Sequence, residues 1–253
     1  NLWSCFEENG AGAAEALQAV ASAGPSLKKL DLQYCWKIPA EAWKKLGDAK
    51  CPNLQEVDFT LCFQENGAGA AEALQAVASA GPSLKKLDLL GCGKIPAEGW
   101  KKWKKLGDAK WPNLQKVNFN SCFKDSGAGG AEALQAAASA GPSLKKLYLK
   151  ECRKIPAEAW KKFGDASEAD HNGFCEPPPL NRSPHAEHTL GDAQWPNLQE
   201  VSLYKCFEEH GAGAAEALQA VASAGPSLKK LDLLGCGKIP AEGWKKLGDA
   251  KWP

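Results

Sequence analysis

The sequence predicts an α/β solenoid of tandem repeats, each contributing one short strand and one helical connector. Three observations predict it. One string recurs along the chain: LKKLDLQYC at Leu27–Cys35, LQEVDFTLC at Leu54–Cys62, LKKLDLLGC at Leu84–Cys92, LQKVNFNSC at Leu114–Cys122, LKKLYLKEC at Leu144–Cys152, LQEVSLYKC at Leu198–Cys206 and LKKLDLLGC at Leu228–Cys236. A truncated copy, Asn1–Cys5, precedes them. Successive copies of the closing cysteine lie 27 or 30 residues apart, except across the step from Cys152 to Cys206. Two kinds of connector alternate between the copies. Self-similarity at this period marks a stack in which each unit buries its apolar face only against its neighbours. About eight units then make one elongated domain over residues 1–253, and a residue present in every copy is there to build the stack.

The strand opens each unit. In L-x-x-[LV]-x-[LF]-x-x-C, apolar residues two apart point to one side and the residues between them to the other. The first connector is I-P-A-E-[AG]-W-K-K, as at Ile38–Lys45, with Pro39 expected at the first helical position. Its helix runs through Leu46 and ends near Gly47, and Pro52-Asn53 announces the next strand. The second connector, as at Gly67–Pro82, is an Ala-rich helix with Leu74 and Val77 on one face and a Gly-Pro stop. Tryptophan recurs in phase with both. Trp43, Trp100, Trp160 and Trp244 sit in the first helix, and Trp111, Trp195 and Trp252 precede Pro-Asn, where Cys51 stands once instead. That phase predicts packing between neighbouring units, and all seven tryptophans are expected in the core.

These motifs resemble the leucine-rich repeat family. The alternation of two long units, and the GAxxxAEAL-type helix followed by PSLKKLDL, are most similar to its ribonuclease-inhibitor-like subclass. Cysteine at the end of the strand motif is similar to the cysteine-containing subclass. The resemblance covers the chain apart from about residues 166–189. It implies a curved horseshoe with a parallel β-sheet on the concave face and α-helices on the convex face. Family members share a platform role with many unrelated partners, so the resemblance is specific for fold rather than for a ligand.

Composition narrows the classes of function. Net charge is +1, so global charge gives no reason to expect nucleic acid or a membrane surface as partner. No apolar run is long enough to span a bilayer, and no secretory leader is visible. The chain begins with Asn1 and has no Met, which suggests a processed product or a piece of a longer chain. Of ten cysteines, eight (Cys5, Cys35, Cys62, Cys92, Cys122, Cys152, Cys206 and Cys236) hold one repeat position. A small thiol there suits a buried turn where it meets a neighbouring backbone carbonyl. Free structural thiols point to an intracellular, reducing compartment.

In a repeat array the informative residues are those that differ between copies. The outward strand positions form columns on the expected concave sheet. The first is Lys29, Glu56, Lys86, Lys116, Lys146, Glu200, Lys230, and the second Asp31, Asp58, Asp88, Asn118, Tyr148, Ser202, Asp232. The third is Gln33, Thr60, Leu90, Asn120, Lys150, Tyr204, Leu234, with Tyr34, Leu61, Gly91, Ser121, Glu151, Lys205 and Gly235 beside it. Tyr148, Lys150, Glu151, Tyr204 and Lys205 break the habit of the other copies on strands expected about 4.8 Å apart. Tyrosine carries apolar area and a hydroxyl, the make-up of an interface anchor. These five residues are the candidate partner-binding site.

The second departure is an insertion at 166–189 between Phe163-Gly-Asp-Ala and Leu190-Gly-Asp-Ala. Its three consecutive prolines, Pro177 to Pro179, and its polar residues predict an exposed loop. His171, Cys175, His185 and His188 offer three imidazoles and a thiolate, a donor set for tetrahedral zinc, although the spacing is not that of a standard finger. A plain polar loop without cofactor is the simpler expectation. The Gly-Ala-Gly strings at Gly10, Gly67, Gly127 and Gly211 lack a phosphate-binding lysine and open each Ala-rich helix, so close packing explains them. Recurrent Lys-Lys pairs are balanced by nearby Asp and Glu, as on a solvated surface.

Neither end shows a polar cap of the kind repeat arrays use, which leaves room for end-to-end self-association or a longer array. The sequence thus points to a non-enzymatic module that binds a protein partner through the concave face. The alternative is a scaffold subunit of a larger assembly, held through its convex helices and open ends. No nucleic acid, membrane insertion or resident cofactor is expected.

Overall fold

The computed structural model describes residues 1–48, 51–79, 83–107, 111–138, 143–164, 195–224 and 227–249. Seven strands form one parallel sheet in chain order: β1 (Lys29–Asp31), β2 (Glu56–Asp58), β3 (Lys86–Asp88), β4 (Lys116–Asn118), β5 (Lys146–Tyr148), β6 (Glu200–Ser202) and β7 (Lys230–Asp232). Among the described residues eight α-helices alternate with them: α1 (Ala13–Ser22), α2 (Ala40–Gly47), α3 (Ala70–Ser79), α4 (Ala97–Gly107), α5 (Gly130–Ala138), α6 (Ala157–Gly164), α7 (Ala214–Ala222) and α8 (Ala241–Gly248). Successive helices pack on one another from α1 to α8, so layers of strands and helices run side by side along the stack. This is the architecture of a leucine-rich-repeat solenoid.

Pattern becomes burial in each unit. The middle residues of β1 to β6, Leu30 through Leu147 and Val201, are buried, as are the apolar residues two positions later, such as Leu89, Phe119 and Leu203, whereas Leu231 and Leu233 of the last strand unit are only partly buried. Where the strand ends, the closing cysteine turns inward and its thiol donates to a carbonyl of the preceding repeat. Cys62 reaches Leu32 O at 2.7 Å, Cys92 reaches Phe59 O at 3.0 Å, Cys122 reaches Leu89 O at 2.8 Å and Cys206 reaches Leu149 O at 2.7 Å. Burial pushes the Cys92 and Cys152 thiols up to about 12. They are held as neutral donors, unsuited to metal binding or nucleophilic attack. Cys5, in the first unit, is exposed.

The Gly-Ala-Gly strings start the Ala-rich helices for two separate steric reasons. A Cβ on Gly67 or Gly127 would stand 1.8 Å from the carbonyl oxygen of Lys94 or Lys154 in the next repeat. The second glycine caps the helix with left-handed backbone, φ 76° at Gly12 and 79° at Gly213. Gly129 also lies against Trp100, whose Cδ1 would be 2.2 Å from an added Cβ. Two expectations need correction. Pro39 and Pro240 are extended residues preceding the first helical turn rather than its first members. Trp244 is 49% exposed, not core. Its counterparts are covered by phenylalanines of the following repeat, Trp43 by Phe59 and Phe63, Trp100 by Phe119 and Phe123, and Trp160 by Phe207. Among the described residues no such ring reaches Trp244. Trp252 lies outside the described residues.

Candidate functional site on the open face of the sheet

The strand registers align the first and second columns residue for residue. Lys29, Glu56, Lys86, Lys116, Lys146, Glu200 and Lys230 pair in one row, and Asp31, Asp58, Asp88, Asn118, Tyr148, Ser202 and Asp232 in another. The acidic column is structural where it is conventional. Asp58 accepts from the Thr60 N–H at 3.0 Å, Asp88 from the Leu90 N–H at 3.2 Å and Asn118 from the Asn120 N–H at 3.0 Å, each carrying the hydrogen bond that closes its own turn. At β5, Tyr148 cannot accept this bond, and the Lys150 N–H donates instead to Asn120 Oδ1 at 2.8 Å from the neighbouring repeat. A borrowed acceptor is what lets a tyrosine stand in the acidic column.

Around that substitution the expected site residues come together. The Tyr148 hydroxyl donates to Glu200 Oε2 at 3.0 Å on the adjacent strand. Lys116 Nζ lies 5.5 Å above the Tyr148 ring centroid, and Lys150 and Lys205 lie 5.8 Å and 5.5 Å from that of Tyr204, within cation–π range. The Glu151 N–H donates to the Tyr204 carbonyl at 2.7 Å. Its carboxylate turns toward the rim, 3.5 Å from Lys124 Nζ. Glu151 and Lys205 hold left-handed backbone, φ 58° and 56°, as do Tyr34, Leu61 and Ser121 at the same position, where two other copies use Gly91 and Gly235. Glu151 and Lys205 are therefore turn residues whose side chains project from a strained corner.

Glu200 organises the patch, and it was not among the residues singled out from sequence. Lys230 lies 2.9 Å and Lys146 3.3 Å from its carboxylate, in addition to Tyr148. The hydrogen bond from Lys230, with those from Tyr148 and Lys146, holds its pKa down to about 2 despite partial burial. Burial, reinforced by the Glu200 carboxylate, pushes the Tyr148 phenol up to about 12. The first column does contain the signal: a lone glutamate between lysines on both neighbouring strands must be bracketed, as Glu56 is by Lys86 at 2.9 Å and Lys29 at 3.8 Å. At the rim, Arg153 ties the turn after β5 to the turn after β6 through Glu208 at 2.7 Å and Glu209 at 3.0 Å. That clamp links the two turns bearing the exceptional strands.

A shallow depression of about 200 Å³ lies over β1 to β4, lined by Lys29, Glu56, Asp58, Lys86, Asp88 and Lys116 among others. No group of three or more His, Cys, Asp or Glu suited to a metal occurs among the described residues. His171, Cys175, His185 and His188 lie outside the described residues. No helix among the described residues is long and apolar enough to cross a membrane.

The fold and site define a repeat solenoid with a preformed, aromatic and charged patch on its sheet. No protein-family model matches the chain. No curated protein matches it either. Among solved structures the chain is similar to one described as "Crystal structure of Rad7 and Elc1 complex in yeast", at 17% identity over 95% of this chain and 73% of that one, with a TM-score of 0.29.

Proposed function

We propose that the chain is a non-enzymatic protein-binding module that receives its partner on the concave sheet face, centred on Tyr148, Lys150, Glu151, Tyr204 and Lys205. The observation that carries this reading is the pair of tyrosines on adjacent repeats, each with a lysine over its ring, in columns where no other full copy places an aromatic residue. A ladder-bonded sheet holds them in place, so a partner gains contact area without the module having to order itself. The whole of 1–253 is one repeat domain with 166–189 as an inserted loop, and its repeats are of the ribonuclease-inhibitor-like kind. The buried carbonyl-bonded thiols favour a reducing, intracellular setting.

A second reading, a scaffold subunit held through its convex helices and end units, is favoured by the exposure of Trp3 at 58% in the first unit and of Trp244 at 49% on the last helix. Affinity capture from the native source separates the two. The intact array should retain a partner that Tyr148→Ala with Tyr204→Ala loses by at least about tenfold, as expected of paired aromatic anchors. Equal retention by the double variant would refute the concave-face reading. Cross-links concentrated at Trp3 or Trp244 would then establish the scaffold reading.

A further inference from the structure

Charge is distributed unevenly along the open face. Over β1 to β3 the outward columns carry two cations, Lys29 and Lys86, against four anions, Asp31, Glu56, Asp58 and Asp88. From β4 to β7 the same columns and the adjoining turn carry five cations, Lys116, Lys146, Lys150, Lys205 and Lys230, against three anions, Glu151, Glu200 and Asp232. The sign reverses because Asn118, Tyr148 and Ser202 interrupt the acidic column on three successive strands while Lys150 and Lys205 are gained beside it.

The partners of these charges sharpen the asymmetry. Glu200 is shared by Lys146, Lys230 and the Tyr148 hydroxyl, so one carboxylate serves two cations. Glu151 turns to Lys124 at the rim, and Asp232 accepts from the Ser202 hydroxyl at 3.0 Å. Lys116 stands 3.7 Å from Asp88, and Lys205 stands 3.8 Å from Glu208, which is held more closely by Arg153. The exposed Lys150 ammonium lies over the Tyr204 ring. Positive charge and two aromatic rings thus share one surface, bordered by a half of the opposite sign.

We infer that the β4–β7 half of this face docks an extended acidic segment of a protein partner, its carboxylates over Lys150 and Lys116 and its apolar side chains against Tyr148 and Tyr204. The inference rests on the concave-face reading above and adds the partner's chemistry. A nucleic acid fits less well. Its uniform negative charge would meet the acidic β1–β3 half, and Arg153, the arginine beside the patch, is engaged by Glu208 and Glu209. Crossing four strands spaced about 4.8 Å apart takes about five extended residues, so a short peptide suffices.

The test uses three fluorescein-labelled probes on the full chain: a peptide of about eight residues containing Glu, Asp and two Leu, its counterpart with Lys for every acid, and an oligodeoxythymidine of similar length. The acidic peptide should bind best and weaken with added salt. Lys150→Glu with Lys205→Gln should reduce its affinity at least tenfold, whereas Lys29→Gln with Lys86→Gln should change it less than twofold. Far-UV circular dichroism checks the fold, and Lys150→Ala alone is the substitute if the pair does not fold. Failure of the acidic peptide to bind, equal affinity in the lysine variant, or tighter binding of the oligonucleotide would overturn the inference. A native partner lost to Tyr148→Ala with Tyr204→Ala but kept by the lysine variant would remove the acidic chemistry alone. A partner kept by both variants would remove the concave-face reading with it.

Discussion

Tyr148 and Glu200 sit 3.0 Å apart on neighbouring strands, and their protonation states are linked. Glu200 is lowered from 4.5 to about 2, so its contribution to stability is fully present above the unfolded value and is lost as pH falls from about 4.5 through 2. The Tyr148 phenol is raised from 10 to about 12, so its contribution is present below pH 10 and disappears as pH rises through 12. Glu200→Gln should therefore reduce the loss of stability between pH 4.5 and 2, and the last tyrosine to ionise, followed by absorbance, should move down from about 12. Burial keeps part of the rise, since it is the larger cause. An unchanged tyrosine titration would show that the hydrogen bond is not made in solution. The departure of Tyr148 from its column was legible in the sequence. Its acceptor was not, because the first column repeats Lys and Glu without saying which side chain leans toward which strand.

At the level of the repeat element, tolerance is decided by how closely one connector approaches the next. Gly127 faces the Lys154 carbonyl, where an added Cβ would stand 1.8 Å away, and this neighbour is backbone and cannot rotate aside. Gly127→Ala should destabilise the array by at least about 2 kcal/mol, the range of overpacked cores, measured by the urea midpoint at constant slope. An unchanged midpoint would mean the approach is looser than the geometry requires. Pattern alone revealed that these glycines were packing residues and that the cysteines faced a neighbouring carbonyl. It placed Pro39 one residue too far into its helix, because proline suits both the end of an extended segment and a first turn. The extra residues of α4 were likewise opaque to periodicity. They lengthen the helix to 11 residues and bury Trp103 against Trp100, Trp111 and Phe119, a cluster that depends on three-dimensional fit.

Across the described residues, the most extensive contacts run between elements of successive units, helix against helix and strand against strand. Stability then behaves as a sum of unit and interface terms rather than as one indivisible core. This explains why two tryptophans that are identical in motif differ in burial. Trp100 is 1% exposed between Gly129, Phe119, Phe123 and Trp103, whereas Trp244 is 49% exposed. Sequence phase could identify the shared position, but burial depends on what the next unit supplies. Trp100→Ala should cost about 3–5 kcal/mol, the usual range for emptying a buried tryptophan site. Trp244→Ala, with much of its surface already in water, should cost less than about 1.5 kcal/mol by area. The position of the loss matters as much as its size. Weakening the interface in the middle of the array should split urea unfolding, followed by circular dichroism, into two transitions, while the Trp244 variant keeps the transition pattern of the parent. A single transition in both variants, shifted by the same amount, would contradict nearest-neighbour coupling and require cooperativity that spans the stack.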